Sequence, residues 1–205
     1  TGDRTGEQMS NGPLTGIRVV DLATDRAEMA GRIFADLGAE VIKVEPPSGA
    51  IARSLPPFDR NNGESLYWAS VALGKKSVVL DIDNPGERAT LEKLVATADV
   101  LFESYDPGFL ATKGLGPADL RAKNPRLIYV SVTPYGQDGP EALSPATDLT
   151  IEAAGGLVAL QGDGDRPPIP VGYPQASFHG GVQAATDAII ALNERSASGL
   201  GQHLD

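Results

Sequence analysis

Ile17-Arg18-Val19-Val20-Asp21-Leu22 is a short apolar run suited to a buried strand, and apolar residues recur at helical spacing behind it at Met29, Ile33, Phe34 and Leu37 before Gly38 closes the stripe. Val41–Val44 then reads as a second strand. Short apolar strands separated by helices imply parallel pairing, because a parallel pair needs a long crossover and a helix is the usual one. The same unit repeats outward. Ser77–Asp81 reads as a third strand, Asn84-Pro85-Gly86-Glu87 as a capped helix start with Leu91, Leu94, Val95 and Ala98 on its buried face, and Val100–Glu103 as a fourth strand. Pro107–Thr112 and Pro117–Lys123 predict short helices, and Leu127–Val132 a strand rich in β-branched residues.

Pro46 to about Ser65 carries prolines and glycines and reads as a surface loop. Asp148–Leu160 is expected as a helix of small residues, and Pro167–Pro174 as a proline-rich connection. Gln175–Ser198 is expected as a long helix with Phe178, Val182, Ala185, Ile189 and Leu192 on one side. The residues Gly201–Asp205 enter a further strand. The pattern is βαβα, which implies a Rossmann-like α/β fold: a mostly parallel sheet with helices on both faces. Residues 1–12 are polar and expected as a flexible tail, with residues 13–205 forming one domain.

Seventeen Lys+Arg against 27 Asp+Glu give a net charge of −10, which argues against a non-specific nucleic-acid binder held by a broad basic surface. No run approaches the ~18 apolar residues of a membrane span. The absence of cysteine removes disulfides and thiolate chemistry and makes a cytoplasmic setting the default. His179 and His203 lie too far apart to read as a metal pair, so no metal site is expected. Ligands of such folds sit beyond the carboxyl ends of the strands, here the loops after Asp21, Val44, Glu103 and Val132. The first of these, Asp21-Leu22-Ala23-Thr24-Asp25-Arg26, lacks the glycines of a dinucleotide fingerprint.

Six segments in order resemble one family. Pro13–Leu22, Ala35–Glu45, Gly74–Asp81, Ala98–Gly108, Asn124–Ser131 and Tyr135–Pro140 are similar to successive signatures of the class III CoA-transferases, which include formyl-CoA transferase, carnitine CoA-transferase and α-methylacyl-CoA racemase. The resemblance runs from Pro13 to Asp205 and implies the N-terminal part of a large domain in a longer protein, usually two interlocked subunits. The implied chemistry moves CoA from an acyl-CoA to a carboxylic acid through a catalytic aspartate, with CoA a substrate and no permanently bound cofactor. A homodimer is the implied assembly.

The family aspartate follows a Val-Gly-x-Pro-x-Ala stretch, matched here by Val171–Ala176, and the residue that follows is Ser177. Two readings stand for Ser177: a catalytic serine, which needs a base, or a helix N-cap. The racemase branch places a histidine before the residue matching Asp148, where this chain has Thr147. Asp148 is then a catalyst or a first-turn residue favoured by its helix dipole. Lys43, Arg53, Lys75 and Lys76 match cationic family positions and are expected to meet CoA phosphates. Ser104 and Tyr105 are expected on the adenine side, and Tyr135 and Gly136 beside the acyl group. Many members carry an Ala-Gly-Pro turn in the first loop, where this chain has the shorter, acidic Asp25–Met29. The alternatives to a CoA-transferase are an acyl-CoA racemase or isomerase, and an inactive module that binds CoA or assembles with a partner.

Overall fold

A computed structural model describes residues 12–205, so the expected tail falls outside the described residues except for Gly12. The strands are β1 (Arg18–Leu22), β2 (Glu40–Glu45), β3 (Lys76–Val79), β4 (Val100–Glu103), β5 (Ile128–Ser131) and β6 (His203–Leu204). They form one sheet in the order β3-β2-β1-β4-β5-β6, and every pairing is parallel. This is the doubly wound order, which reverses direction between β1 and β4.

Alternation along each strand divides the core. Val19, Val41, Val100, Phe102, Ile128 and Val130 face α1 (Glu28–Asp36) and α7 (Gln175–Ser198). Val20, Leu22, Val44, Leu101 and Tyr129 face the other side, with Leu91 and Val95 of α3 (Pro85–Val95) and Leu120 of α5 (Pro117–Lys123). Both faces of the sheet are therefore covered, which is why its central strands are near-continuous apolar runs. The start of α3 is as the sequence predicts: Asn84 Oδ1 accepts the Gly86 N–H at 2.9 Å, with Pro85 in the first turn.

Four elements depart from expectation. Helix α2 (Leu66–Ala72) stands where no element was predicted; Ser65 caps it, and only Tyr67 and Val71, four residues apart, are buried. The single helix predicted over 148–160 is broken: α6 (Asp148–Ala154) stops at Gly155, Gly156 takes a φ of +83°, and a 3₁₀ turn covers Val158–Leu160. On α7 the buried stripe is Gly181, Ala184, Ala185, Ala188 and Ala191, while Val182 is exposed. Of the predicted face, Ala185 is buried and Phe178, Ile189 and Leu192 pack against the core in part, while the deepest positions are small because α7 crosses α1 so closely that a Cβ on Gly181 would lie 2.9 Å from Met29 Cβ. On α1, Phe34 is buried as predicted, but Ala30, Gly31 and Ala35 replace Met29, Ile33 and Leu37 as its most buried partners. Among the described residues no helix is long and apolar enough to cross a membrane.

Candidate functional site

The carboxyl ends of β1, β2 and β4 meet at the point where the sheet order reverses, and a small cavity of about 120 Å³ opens there. Leu22, Ala23 and Thr24 from the end of β1, Pro46 and Ile51 beyond β2, and Tyr105 beyond β4 form its walls. Ser104 is buried and holds the loops together, its Oγ accepting the Thr24 N–H and bonding Thr24 Oγ1, both at 2.8 Å. Tyr105 stacks on Phe109 with ring centroids 5.1 Å apart. Its N–H donates to the buried Glu103 carboxylate at 3.0 Å.

At the base of this cavity, with Glu28 and Lys43 in its lining, lies a ring of charge in which each group faces two of opposite sign. Lys43 Nζ is 3.0 Å from Glu28 Oε1 and 3.4 Å from Asp21 Oδ1, while Lys75 Nζ is 3.0 Å from Glu28 Oε2 and 2.7 Å from Asp21 Oδ2. The register that sets Asp21 beside Lys43 on neighbouring strands builds half of it. Lys43 also donates to the Ala23 carbonyl, and Lys75 to the Glu28 carbonyl. Gly31 is required alongside, because a Cβ there would run into Asp21 Oδ2. Burial is the largest influence on both acids: the two lysines outweigh it at Asp21, whose pKa falls, but not at Glu28, whose pKa rises. Burial also opposes the charge on Lys43, yet Asp21 and Glu28 hold its pKa above the usual lysine value.

The phosphate role expected of Lys43 and Lys75 does not match this placement. Their side chains are only 2% and 1% exposed, and both ammonium groups are committed to carboxylates. Lys76 is the opposite case, 72% exposed and bonded to Glu40 at 2.9 Å. Arg53 grips the buried Glu45 with two bonds of 2.6 and 2.8 Å and lies over the Trp68 ring at 4.1 Å, with nearly half its side chain open. Chiefly through Arg53, and also through Ser77 and the Ala50 N–H, Glu45 is held down at a pKa of about 2 against its burial.

A separate groove lies at the start of α7. Three hollows of about 130, 340 and 230 Å³ share Arg26 and Pro134 in their walls. Ser177 lines two of them together with Arg26. Tyr67, presented by α2, and Ile151 of α6 supply apolar wall beside Ser177 and Asp148. The Asp148 carboxylate caps α7 from outside: it accepts the N–H groups of Gln175 (2.7 Å), Ala176 (3.3 Å) and Ser177 (2.8 Å) and the Ser177 hydroxyl (2.9 Å). Burial opposes the charge, but these donors and Glu152 hold Asp148 below the usual carboxylate range. The hydrogen bond to Asp148 is the first cause that pushes Glu152 up.

Ser177 is thus not an N-cap, since the helix begins at Gln175 and Ser177 is already its third residue. Its hydroxyl donates to Asp148 rather than to His179. A carboxylate held this acidic is a weak base towards a hydroxyl. Asp148 is a first-turn residue of α6, as the sequence suggests, but the four bonds it accepts from the start of α7 were not legible from it. Thr147 caps α6 in a reciprocal box with Thr150. Gly136 lines a further hollow of about 310 Å³ along β5 and α7, which shares Val132, Thr133 and Gly180 with the one beside Ser177. Arg26 belongs in the sequence to the shortened first loop, and in the structure it lines all three hollows of the groove.

A doubly wound sheet with a crevice at its reversal point is the architecture in which open α/β domains bind their ligands. The model of CoA-transferase family III matches residues 14–205, and the chain belongs to that family. Succinate–glutarate CoA-transferase of Agrobacterium fabrum is 38% identical over 94% of this chain and 50% of its own length. Acetyl-CoA:oxalate CoA-transferase of Acetobacter aceti is 38% identical over 95% and 50%. The crystal structure of a CAIB/BAIF family protein from Brucella suis superposes with a TM-score of 0.90 at 37% identity, covering 95% of this chain and 53% of that one. The chain spans about half the length of the curated relatives it matches.

Proposed function

We propose that this chain forms the acyl-CoA-binding part of a class III CoA-transferase that moves CoA from a thioester to a carboxylic acid. The observation that carries the reading is that the loop after β1, whose first residues wall the crevice, also carries Arg26 into hollows lined by Ser177, where the resemblance places the family nucleophile. The adenine end of CoA lies against Tyr105 and Ser104, and its phosphates meet Arg53 and Lys76, the two of the four predicted cations that are exposed. The thioester lies towards Ser177, with Tyr135 and Gly136 on the far side of the acyl group. Relatives named for succinate, glutarate and oxalate support a small dicarboxylic acid as substrate. The working unit is a cytoplasmic homodimer that binds neither nucleic acid nor membrane.

Ser177 does not act as nucleophile in this reading. Its hydroxyl is a donor to Asp148, and no group titrating near neutrality takes its proton. The 205 residues therefore bind CoA without forming an acyl-enzyme. Calorimetry with CoA and mass spectrometry after incubation with succinyl-CoA test both halves. Binding heat with an unmodified mass is expected; an adduct on Ser177, or the absence of any binding, would overturn the reading. Recovery of an adduct in Ser177→Asp would show that the surrounding site is intact.

A further inference from the structure

Arg26 is bound on one side only. Its Nη1 donates to Asp106 Oδ1 at 2.9 Å and to the Ser104 carbonyl at 3.4 Å, which accounts for both hydrogens on that nitrogen. Among the described residues, Nε and Nη2 have no hydrogen-bond partner. Those two nitrogens are one edge of the guanidinium, the two-donor fork whose spacing matches the two oxygens of a carboxylate. The residue is about one-third exposed and enters the walls of all three hollows of the groove.

The surroundings select what fits that fork. Pro134 and Ile151 line the groove beside Arg26 and present apolar surface, suited to a short methylene chain. Asp148, the nearest carboxylate of the α7 cap, has four donors of its own and needs no arginine. Asp106, the partner on Nη1, is an exposed side chain whose pairing is worth little in water. A guanidinium held by one exposed acid and one carbonyl, with no hydrogen-bond partner on its two-donor edge among the described residues, lines a groove whose walls hold Pro134 and Ile151 as well as Asp25 and Asp148, and is placed to receive an anion there.

We propose that Arg26 is a specificity-determining residue that binds the far carboxylate of a dicarboxylic acyl group while the thioester end lies at Ser177. This inference rests on the CoA-transferase reading above. It makes the shortened first loop a substrate-selecting element of this chain: Asp25-Arg26 stands where many relatives of the resembled family carry a small, uncharged turn.

The test compares binding of glutaryl-CoA and pentanoyl-CoA, which match in chain length and differ by one terminal carboxylate. For the 205-residue chain, glutaryl-CoA is expected to bind more tightly by about tenfold, the scale of a charge-assisted bidentate pair. Arg26→Met removes that preference while leaving pentanoyl-CoA affinity within about twofold, and Arg26→Lys keeps part of it, because a single ammonium replaces the fork. Asp106→Asn, which loosens only Nη1, retains the preference. A role confined to holding the loops would weaken both esters alike in Arg26→Met, and that result would overturn the proposal. Equal affinities in the unaltered chain, or a preference unmoved in Arg26→Met, would overturn it as well and leave the CoA-transferase reading standing. If neither ester nor CoA itself binds, that reading fails and this inference fails with it. Circular dichroism of each variant confirms that it is folded.

Discussion

The ring of Asp21, Glu28, Lys43 and Lys75 and the groove of Arg26, Ser177 and Asp148 lie at the same end of one sheet, yet their charges are disposed in opposite ways. In the ring every charge is buried and faces two of opposite sign, so the cluster is closed. In the groove Asp148 is saturated by α7, but among the described residues two nitrogens of Arg26 have no hydrogen-bond partner, and the residue lines the hollows. Charge closed on itself is structural, because a ligand would have to displace a partner already in place. Charge left half-partnered at a cavity wall is available for recognition.

The sharpest way to break this contrast is to open the ring. Lys43→Met leaves two buried carboxylates facing one ammonium, and the expected cost is about 3–5 kcal/mol in urea denaturation, with a lower midpoint and an unchanged slope. Glu28→Gln added to Lys43→Met restores most of the loss, since it removes the surplus negative charge. A cost below about 1 kcal/mol for the single change would show that water reaches the ring and that it is not closed.

Arg53→Met tests an intermediate case, a half-exposed cation on a buried acid, at an expected cost of about 2 kcal/mol near neutral pH. Its sign with pH follows from Glu45, whose folded pKa of about 2 lies below the ordinary value of 4.5. A depressed carboxylate contributes stability that is fully present above its unfolded pKa and disappears as pH falls from 4.5 towards 2. The unaltered chain therefore loses this contribution across that window. Arg53→Met loses less of it, so the stabilities of the two proteins converge as acid is added.

Asp148→Ala removes the external cap from α7 without burying a new charge, and the expected cost is about 1 kcal/mol. Hydrogen exchange at Gln175, Ala176 and Ser177 is expected to accelerate more than exchange in the middle of the helix, because those are the N–H groups that lose their acceptor. Uniform acceleration along α7 would mean that the cap sets the stability of the whole helix.

Much of the fold was legible because β1, β2, β4 and β5 are apolar runs bounded by glycine, proline and caps, and such runs between helices admit few topologies. Helix α2 escaped because its buried seam is only Tyr67 and Val71, too short to show a period. The inner face of α7 was legible in part: Ala185 is buried and Phe178, Ile189 and Leu192 pack at its edges, but the most buried positions are glycine and alanine, which close packing against α1 selects and which carry little hydrophobic signal. The site was harder. A lysine flanked by apolar residues, as Lys43 is in β2, reads as a surface cation until the register shows Asp21 beside it on the next strand and the fold brings Glu28 across. Ser177 was found by its position in a motif, whereas Arg26 sits in a loop that departs from the motif, so its place in the groove emerged only in three dimensions.

Lys75 and Lys76 put the contrast into adjacent residues, because neighbouring side chains on an extended segment point to opposite sides. One enters the closed ring and is 1% exposed; the other stands in solvent against Glu40. Lys76→Ala is therefore expected to change stability by less than about 0.5 kcal/mol, the smallest effect here, since an exposed pair is screened and mobile. Affinity for CoA should instead fall by about threefold at low salt, with the difference fading at high salt as phosphate attraction is screened. Lys75→Ala reverses the pattern, losing stability as Lys43→Met does. Any fall in its CoA affinity should track the unfolded fraction and show no salt dependence. If Lys75→Ala instead weakened CoA binding in a fully folded protein, the ring would not be closed towards the crevice, and the division between structural and recognising charge would have to be redrawn at Lys75.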